Sequence, residues 1–429
     1  MNHDVTAIGM TQYDRLFDLY RQFDARALRD HQEFVDVFPP VDSRVALAHW
    51  EEITDELDRL KGEIREAFEY GETYAEIAAY ADRDQAFTAL DLYSKYGRAV
   101  NVLVLDVDET LRSAGRTDNE IPRETLHLLT EFHEAGVPIV VCTGQTLENV
   151  KGFMIQGLGN RLVHSGTFSI VYEGGTGVFT PGHGANTKRL LYEDLDAEIR
   201  DVFDEVRSRV LPEAPEDLRR HLHLQGNEFN VTLKPNFETG SEEADAVIDR
   251  ALVYLLDLLG DALATRFDGE GDIDATSARV AAWTRAFFAD QDPEIRGVLE
   301  AENATPDRDL ADAPDAVLAT LERIDVGYYE SDAAEITSRE LNKPNGVEAA
   351  FDVLGISDPF ALVMGDSKSD LRVMKMVAEA DWGIGAAPDH ASRDVLDHVI
   401  RTDELVFDRG KAGDVLRIAY AINCLSKIS

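Results

Sequence analysis

The stretch NVLVLDVDETLR, residues 101–112, decides the fold of this chain. It contains a valine-rich apolar run, Val102–Leu105, which is typical of a strand buried on both faces in a parallel sheet. Asp106 follows the run and Asp108 comes two residues later, so two carboxylates lie at the carboxyl end of the strand, where open α/β sheets bind ligands. In a regular strand both would point to one side and raise each other's pKa. Alone, such a pair is more often a polar turn, so the rest of the chain must decide.

The composition indicates a globular protein of two or three domains. The chain has 429 residues, of which 44% are hydrophobic, and it contains no run of eighteen apolar residues that would cross a membrane. Its start, MNHDVTAIGM, has neither the basic region nor the apolar core of a secretory signal. Two cysteines, Cys142 and Cys424, argue against a disulfide scaffold. We therefore expect a cytoplasmic protein without a membrane partner.

The charge balance is strongly acidic, with 82 acidic against 42 basic residues and a net charge of −40. The acidic residues are spread along the whole chain, which argues against nucleic acid as a partner because such binding needs a basic surface. Only ten of the basic residues are lysines. Excess carboxylates with scarce lysine resemble the proteins of salt-accumulating, archaeal-like halophiles. We expect stability to fall when salt is removed, because salt screens the self-repulsion.

The chain divides into four parts. Residues 1–97 are expected to be helical, with helices over 13–37 and 44–70, one or two more over 73–96, and a break at Pro39 and Pro40. This extension is either a dimerisation or docking arm or a helical layer packed on the rest of the protein. Residues 98–180 and 339–429 alternate strands and helices as a Rossmann-like parallel α/β core does. Residues 181–338 change character and form an α+β insertion.

Within these parts the pattern predicts smaller elements. Short strands are expected over 162–164 and 169–172, an exposed-faced strand over 227–233, and a polar Gly/Asp loop over 268–275.

Three buried strands of the core end in matched polar groups. The first leads to Asp106, the second (137–142) to Thr143, and the third (360–364) to Asp366, while Lys343 begins a helix between the last two. Carboxylate oxygens with water suit Mg²⁺, whereas a threonine hydroxyl and a lysine ammonium can hold phosphate oxygens. The sequence therefore predicts a site for a divalent cation and a phosphate group.

The order and spacing of these groups resemble the haloacid dehalogenase superfamily of phosphohydrolases. The first motif is DVDET (106–110), the second is the threonine of CTG (142–144), the third is the lysine of LNKPNG (341–346), and the fourth is GDSKSD (365–370). The resemblance covers roughly 98–180 and 339–400.

The resemblance implies a role for each matched residue. Asp106 would be the nucleophile that forms an aspartyl-phosphate, and Asp108 would be the general acid that protonates the leaving alcohol and then activates water. Thr143 and Lys343 would bind the phosphoryl group. The implied ligands of Mg²⁺ are Asp106, Asp108 through its main-chain carbonyl, Asp366 and Asp370.

Spacing places the cap of such an enzyme. The 200 positions from Thr143 to Lys343 leave room for a domain, so 181–338 is the expected cap. This arrangement resembles the class with a large α/β cap after the second motif, which includes Cof-type sugar phosphatases, sucrose-phosphatase, mannosyl-3-phosphoglycerate phosphatase and phosphomannomutase. Two residues depart from that class, Glu109 where glycine is usual and Gln145 where arginine is common. Candidate substrate contacts are Gly144, Gln145, Arg219, His221, Glu228 and Asn230.

The function expected from these observations is a Mg²⁺-dependent phosphomonoesterase for a small phosphorylated metabolite such as a sugar phosphate. Two alternatives stay open. A phosphomutase or phosphotransferase would use the same motifs, and a non-catalytic regulatory protein could use the same scaffold with 1–97 as its interaction arm. A homo-oligomer formed through the N-terminal helices is a further expectation.

Overall fold

Two β-sheets organise the protein. The computed structural model describes residues 11–38, 43–112, 120–267 and 276–428. In these ranges the strands are β1 (Val102–Leu105), β2 (Ile139–Cys142), β3 (Phe168–Tyr172), β4 (Gly177–Phe179), β5 (Lys188–Leu190), β6 (Leu222–Leu224), β7 (Val231–Pro235), β8 (Ile324–Tyr329), β9 (Ala333–Ser338), β10 (Ala361–Met364), β11 (Gly383–Pro388) and β12 (Leu405–Phe407).

The larger sheet has eight strands in the order β12-β11-β10-β1-β2-β3-β4-β5. The six strands from β12 to β3 are parallel, and β4 and β5 extend the sheet antiparallel. Its centre is β1, which is buried along its whole length between layers on both faces, as its uninterrupted apolar run predicts. The predicted α/β class with a parallel core sheet is confirmed. The strand β5 lies beyond residue 180, so the core sheet continues into the range assigned to the cap.

Five helices precede β1 and form an N-terminal layer: α1 (Gln12–Gln22), α2 (Ala25–Val37), α3 (Arg44–Ala67), α4 (Gly71–Tyr80) and α5 (Arg83–Tyr96). The single helix predicted over 13–37 is wrong, because Phe23 is extended and the Asp24 carboxylate accepts the Ala27 N–H to begin a second helix. The break predicted at Pro39 and Pro40 lies outside the described residues.

The remaining helices are α6 (Arg123–Glu134), α7 (Leu147–Val163), α8 (Ala197–Arg209), α9 (Glu216–Arg219), α10 (Ser241–Phe267), α11 (Ser277–Gln291), α12 (Pro293–Ala301), α13 (Asp315–Leu321), α14 (Lys343–Leu354), α15 (Lys368–Glu379), α16 (Arg393–Arg401) and α17 (Ala412–Ser426). The short strand predicted over 162–164 is wrong, because Leu162 and Val163 are buried residues of the last turn of α7. No helix in the described part is long and apolar enough to cross a bilayer.

The N-terminal layer packs on the larger sheet through α17. Tyr80 of α4 meets Tyr420 of α17 with ring centroids 4.5 Å apart, and apolar residues of the layer join one continuous core with those of β1 and α17. The extension is therefore a helical layer of the core, which was one of its two interpretations. Whether it also forms an oligomer contact stays a prediction.

The smaller sheet is antiparallel in the order β6-β7-β9-β8, and with α8–α13 it forms what we call the small-sheet domain. One face of the sheet is apolar and packs on α10 and α8, with Leu233 and Ile336 among its buried residues. The strand predicted over 227–233 begins only at Val231. The loop predicted over 268–275 lies outside the described residues.

Candidate active site

The register of the larger sheet brings the predicted groups to one edge. In β1, Leu105 pairs with Met364 of β10 on one side and with Val141 of β2 on the other. The next residues along these strands, Asp106, Gly365 with Asp366, and Cys142 with Thr143, therefore leave the sheet at nearly the same level. The parallel direction of the three strands thus fulfils the geometric condition on which the predicted site depends.

Lys343 joins two of the carboxylates. It is the first residue of α14, where the Asn342 side chain accepts the Asn345 N–H as N-cap and Pro344 occupies the first turn. Its ammonium lies 2.8 Å from Asp106 Oδ1 and 2.6 Å from Asp370 Oδ1. The three side chains are between 5% and 8% exposed, so the charges interact with little screening by water.

The start of α15 fixes Asp370. Ser367 precedes the helix, and its N–H and hydroxyl donate to Asp370 Oδ2 over 3.1 and 2.6 Å, as in a capping box. One oxygen of Asp370 thus holds the helix start and the other holds Lys343. Asp366 stands directly before this turn, at the end of β10.

Three carboxylates lie around the Lys343 ammonium. Asp106, Asp366 and Asp370 each offer an oxygen within 4.8 Å of the others. Burial and then the Asp370 carboxylate raise the pKa of Asp366 to about 6. Burial also raises the pKa of Asp106 well above its usual value, although Lys343 opposes this. For Lys343, burial alone would lower the pKa, but the two carboxylates outweigh it and the pKa is raised well above its usual value.

This surplus of negative charge fits a divalent cation. Each of the three carboxylates is a hard oxygen donor, which is the ligand type that Mg²⁺ prefers. Mg²⁺ also keeps several water ligands, so three protein oxygens are a sufficient set. Asp370 is committed to Ser367 and Lys343, which makes Asp106 and Asp366 the better first ligands.

Asp108 stands apart from this group. Its side chain is 49% exposed, and its Oδ1 lies 2.7 Å from the Arg112 guanidinium. Its second oxygen accepts the side-chain amide of Gln145. The Arg112 guanidinium is itself packed over the Phe153 ring at 4.4 Å, so the donor that holds Asp108 is fixed in turn. The metal role predicted for Asp108 concerns its main-chain carbonyl and stays a prediction.

Glu109, which stands where the resembled class usually has glycine, lies in a turn directly after Asp108. Its φ is +57°, a left-handed conformation in which glycine carries no penalty and other residues cost about 1–2 kcal/mol. The Glu109 carboxylate contacts Arg409 at 2.5 Å and His390 at 3.2 Å. The ion pair with Arg409 and the contact with His390 hold the turn after Asp108 in this left-handed shape.

Thr143, Gly144 and Gln145 follow β2, on the other side of β1 from β10, and form what we call the opposite wall of the site. Thr143 is 1% exposed, its N–H donates to the Val171 carbonyl, and its hydroxyl oxygen accepts the Gln145 N–H over 3.1 Å. Gly144 is exposed. Gln145, the second departure from the family pattern, connects this wall to Asp108.

The four residues predicted as substrate contacts in the cap lie in two places. Arg219, at the end of α9, is exposed, and His221, in the turn after it, is half-buried. Glu228 and Asn230 instead lie where the small-sheet domain meets the larger sheet. Glu228 accepts the Tyr172 hydroxyl over 2.9 Å, and the Asn230 side-chain amide donates to the Glu173 carbonyl over 2.9 Å.

Reasoning from sequence missed a polar face on the smaller sheet. The carboxylate of Glu335 accepts the hydroxyls of Thr232 and Tyr329, each over 3.2 Å. The Glu335 carboxylate is the main cause that raises the pKa of Tyr329. The Lys343 ammonium acts on the same hydroxyl and opposes this rise. Asp325 of the same sheet lies 3.7 Å from Arg372 of α15. The alternation of β7–β9 was the available signal, since residues opposite to the apolar face must point the other way.

The comparisons with known proteins give similarities of fold. No protein-family model and no curated protein matches the chain. Among solved structures, it is similar to a haloacid dehalogenase-like hydrolase from B. subtilis, with a TM-score of 0.39, 15% identity, and 75% of this chain and 99% of that chain covered. For a structure described as a putative HAD/COF-like hydrolase from Plasmodium vivax, the TM-score is 0.44 and the identity is 15%, with 80% of this chain and 100% of that chain covered. For a HAD subclass IIB sugar phosphatase, the TM-score is 0.40 and the identity is 14%, with 74% of this chain and 96% of that chain covered.

Proposed function

We propose that the protein is a phosphomonoesterase of the haloacid dehalogenase type that uses Mg²⁺ and acts on a small phosphorylated metabolite such as a sugar phosphate. The observation that carries this proposal is the buried ammonium of Lys343 between Asp106 and Asp370, with Asp366 beside them at the same sheet edge. An ion-paired fold element alone would need only one carboxylate per ammonium. The additional negative charge is explained by a site that receives a cation and transfers a phosphoryl group.

The proposed chemistry assigns the residues as follows. A carboxylate oxygen of Asp106 attacks phosphorus, and the bond from phosphorus to the ester oxygen breaks as Asp108 donates a proton to the leaving alcohol. Water then attacks the aspartyl-phosphate, Asp108 takes its proton, and phosphate leaves. Lys343 and Thr143 hold the non-bridging oxygens. Bound Mg²⁺ would neutralise charge as an anionic phosphate approaches an anionic nucleophile.

Arg112 and Gln145 fix the orientation of the Asp108 carboxylate. Each holds one oxygen of that carboxylate, so the group has a fixed orientation while half of it remains open to solvent and to a leaving group. Orientation of this kind is worth more than proximity alone, because proton transfer needs an aligned donor.

The polar face of the smaller sheet supports a hydroxyl-bearing leaving group. Glu335 can accept hydrogen bonds, and Thr232 and Tyr329 can donate or accept them. Replacement of Glu335 by glutamine should therefore raise KM for a sugar phosphate and leave KM for p-nitrophenyl phosphate, which lacks hydroxyls, nearly unchanged.

The test is phosphate release from p-nitrophenyl phosphate in molar KCl with Mg²⁺. Asp106→Asn should abolish release, and Asp108→Asn should lower the rate by roughly 10²–10⁴-fold. Asp358→Asn is the matched control, because Asp358 lies before β10, at the other end of the sheet, and pairs with Arg98 at the surface. Full turnover in Asp106→Asn would refute the proposal, as would the absence of release from a panel of phosphate esters by the unmodified enzyme.

A further inference from the structure

A buried glutamate joins the small-sheet domain to the phosphate side of the site. Glu173 follows β3, is 2% exposed, and has a φ of +48°. Its carboxylate accepts the main-chain N–H of Glu228 over 2.5 Å and that of Phe229 over 3.2 Å. Its main-chain carbonyl accepts the side chain of Asn230 over 2.9 Å. One residue of the core therefore makes three hydrogen bonds to a three-residue segment of the other domain.

That segment packs against α8 and against the residues that precede α8. Phe229 is buried and stacks on Phe203 with centroids 4.3 Å apart and on Tyr192 at 5.5 Å. Arg207 of α8 donates to the main-chain carbonyls of Asn227 and Asn230. Residues 227–230 are therefore held by α8 as well as by Glu173, so the segment connects the two.

The main chain at Glu173 is bonded to the opposite wall of the site. The Glu173 N–H donates to the Gln145 carbonyl over 2.9 Å, and the Gly174 N–H donates to the Thr143 carbonyl over 3.0 Å. Gln145 in turn holds Asp108 through its side chain. Three hydrogen bonds therefore connect the small-sheet segment to the proposed general acid, by way of Glu173 and Gln145.

The same turn touches the start of α14. Gly175 has a φ of +115°, and a Cβ placed on it would lie 2.1 Å from the Asn342 carbonyl oxygen. Asn342 is the N-cap residue directly before Lys343. This close approach requires glycine, and it places residues 173–176, which we call the junction turn, against the element that carries the buried ammonium.

We propose that the junction turn couples the position of the small-sheet domain to the geometry of Thr143, Gln145 and Lys343, with Glu173 as the positioning residue. The inference rests on the proposed function for its kinetic consequence, but its structural consequence is independent of any activity. When Glu173 cannot accept both N–H groups, the domain and the phosphate-binding wall lose their fixed relation. A small misplacement of this kind is enough to slow a reaction that depends on alignment.

The test compares Glu173→Gln with Glu404→Gln. Glutamine keeps the size of the side chain but presents an N–H₂ group to one of the two main-chain donors. Glu404 is a matched control, because it is a partly buried glutamate that accepts the Gly385 N–H over 2.8 Å and the Tyr96 hydroxyl over 3.0 Å. It directly precedes β12, the edge strand of the larger sheet that is separated from β3 by four strands. Asn230→Ala serves as a milder second variant, since it removes one of the three bonds and leaves Glu173 intact.

Two readouts separate this inference from the proposed function. Hydrogen exchange of main-chain amides should become faster both at 227–230 and at 143–146 in Glu173→Gln, and in neither segment in Glu404→Gln. With p-nitrophenyl phosphate, kcat should fall by roughly 10- to 100-fold while KM changes little, because the leaving group of this substrate carries no hydroxyls for the small-sheet domain to bind. Asn230→Ala should show the same pattern, with a smaller decrease.

The outcomes are distinguishable. Faster exchange confined to 227–230, or a folded Glu173→Gln variant with unchanged kcat, would overturn the coupling. An equal loss of kcat in Glu404→Gln would also overturn it, because the effect would then be general destabilisation. If the unmodified enzyme hydrolyses no phosphate ester, the proposed function fails, and the exchange pattern still decides whether the junction turn connects the two regions.

Discussion

Replacement of Lys343 by methionine removes the buried ammonium that bonds to Asp106 and Asp370. Methionine nearly fills the volume of the lysine stem, so packing changes little, but Asp106 and Asp370 both lose their ammonium partner. Breaking a buried ion pair by removing one partner costs about 3–5 kcal/mol. At about 2 °C per kcal/mol for a protein of this size, the melting temperature should fall by about 6–10 °C in the absence of metal.

The pH dependence of this loss has a defined sign. In the unmodified protein the pKa of Lys343 is raised well above its usual value, so its stabilisation is fully present below about pH 10 and is lost only in more alkaline solution. In the variant Asp106 lacks the ammonium that opposes the effect of burial, so its pKa lies further above that of the unfolded chain and the folded state takes up a proton there as the pH falls. The difference in melting temperature should therefore shrink from about pH 8 to about pH 5.5.

Mg²⁺ provides the second arm of the assay. Without the ammonium, the three carboxylates carry more uncompensated charge, so added Mg²⁺ should raise the melting temperature of the variant more than that of the unmodified protein. Lys61→Met is the matched control, since Lys61 pairs with Glu76 over 2.8 Å in the N-terminal layer, with 10% of its side chain exposed. A Lys343→Met variant as stable as the unmodified protein in EDTA would refute the charge arrangement, and so would an equal response of Lys61→Met to Mg²⁺.

Three further outcomes are expected. The melting temperature should rise from millimolar to molar KCl, because a net charge of −40 repels itself and salt screens it; an unchanged value would contradict this. Burial lowers the pKa of His127, but the Asp36 carboxylate at 3.0 Å outweighs this effect and the net pKa is raised. The stabilisation from this pair is therefore lost as the pH rises above about 6.5. In His127→Gln the melting temperature should depend less on pH across that range. Gly175→Ala should lower the free energy of unfolding, measured in urea, by about 1–3 kcal/mol or more and should lower kcat, because the added Cβ would meet Asn342. A Cβ at Gly174 would meet no atom within 4 Å, so Gly174→Ala should show only the smaller effect of its positive φ.

The parts of the fold that could be predicted from sequence are those that one local pattern specifies. The strands β1, β2 and β10 are buried on both faces, so their uninterrupted apolar runs predict both their type and their place at the sheet centre. Since parallel strands end at one edge, the meeting of Asp106 and Asp366 could be predicted as well. A short apolar run at 162–164 does not distinguish a strand from a helix end, and there the prediction was wrong.

The contacts that orient the site could not be predicted, because they join residues distant in sequence. Nothing near Lys343 in the chain indicates that its ammonium would bind Asp370 as well as Asp106. The pairing of Gln145 with Asp108 depends on the register of β1 and β2. Glu173 follows a strand and precedes two glycines, and its sequence surroundings indicate only a turn. Its function becomes visible when the partner segment 227–230 is folded against it.

The N-terminal layer, α1 to α5, has a practical consequence for anyone who shortens this protein. Tyr80, Leu416 and Tyr420 belong to one apolar core that the layer and α17 share. A truncated version that starts near residue 98 would expose this surface to water, and exposed apolar area of that extent promotes aggregation. Limited proteolysis should therefore leave the layer attached to the larger sheet, and soluble expression of the rest of the protein should require this layer.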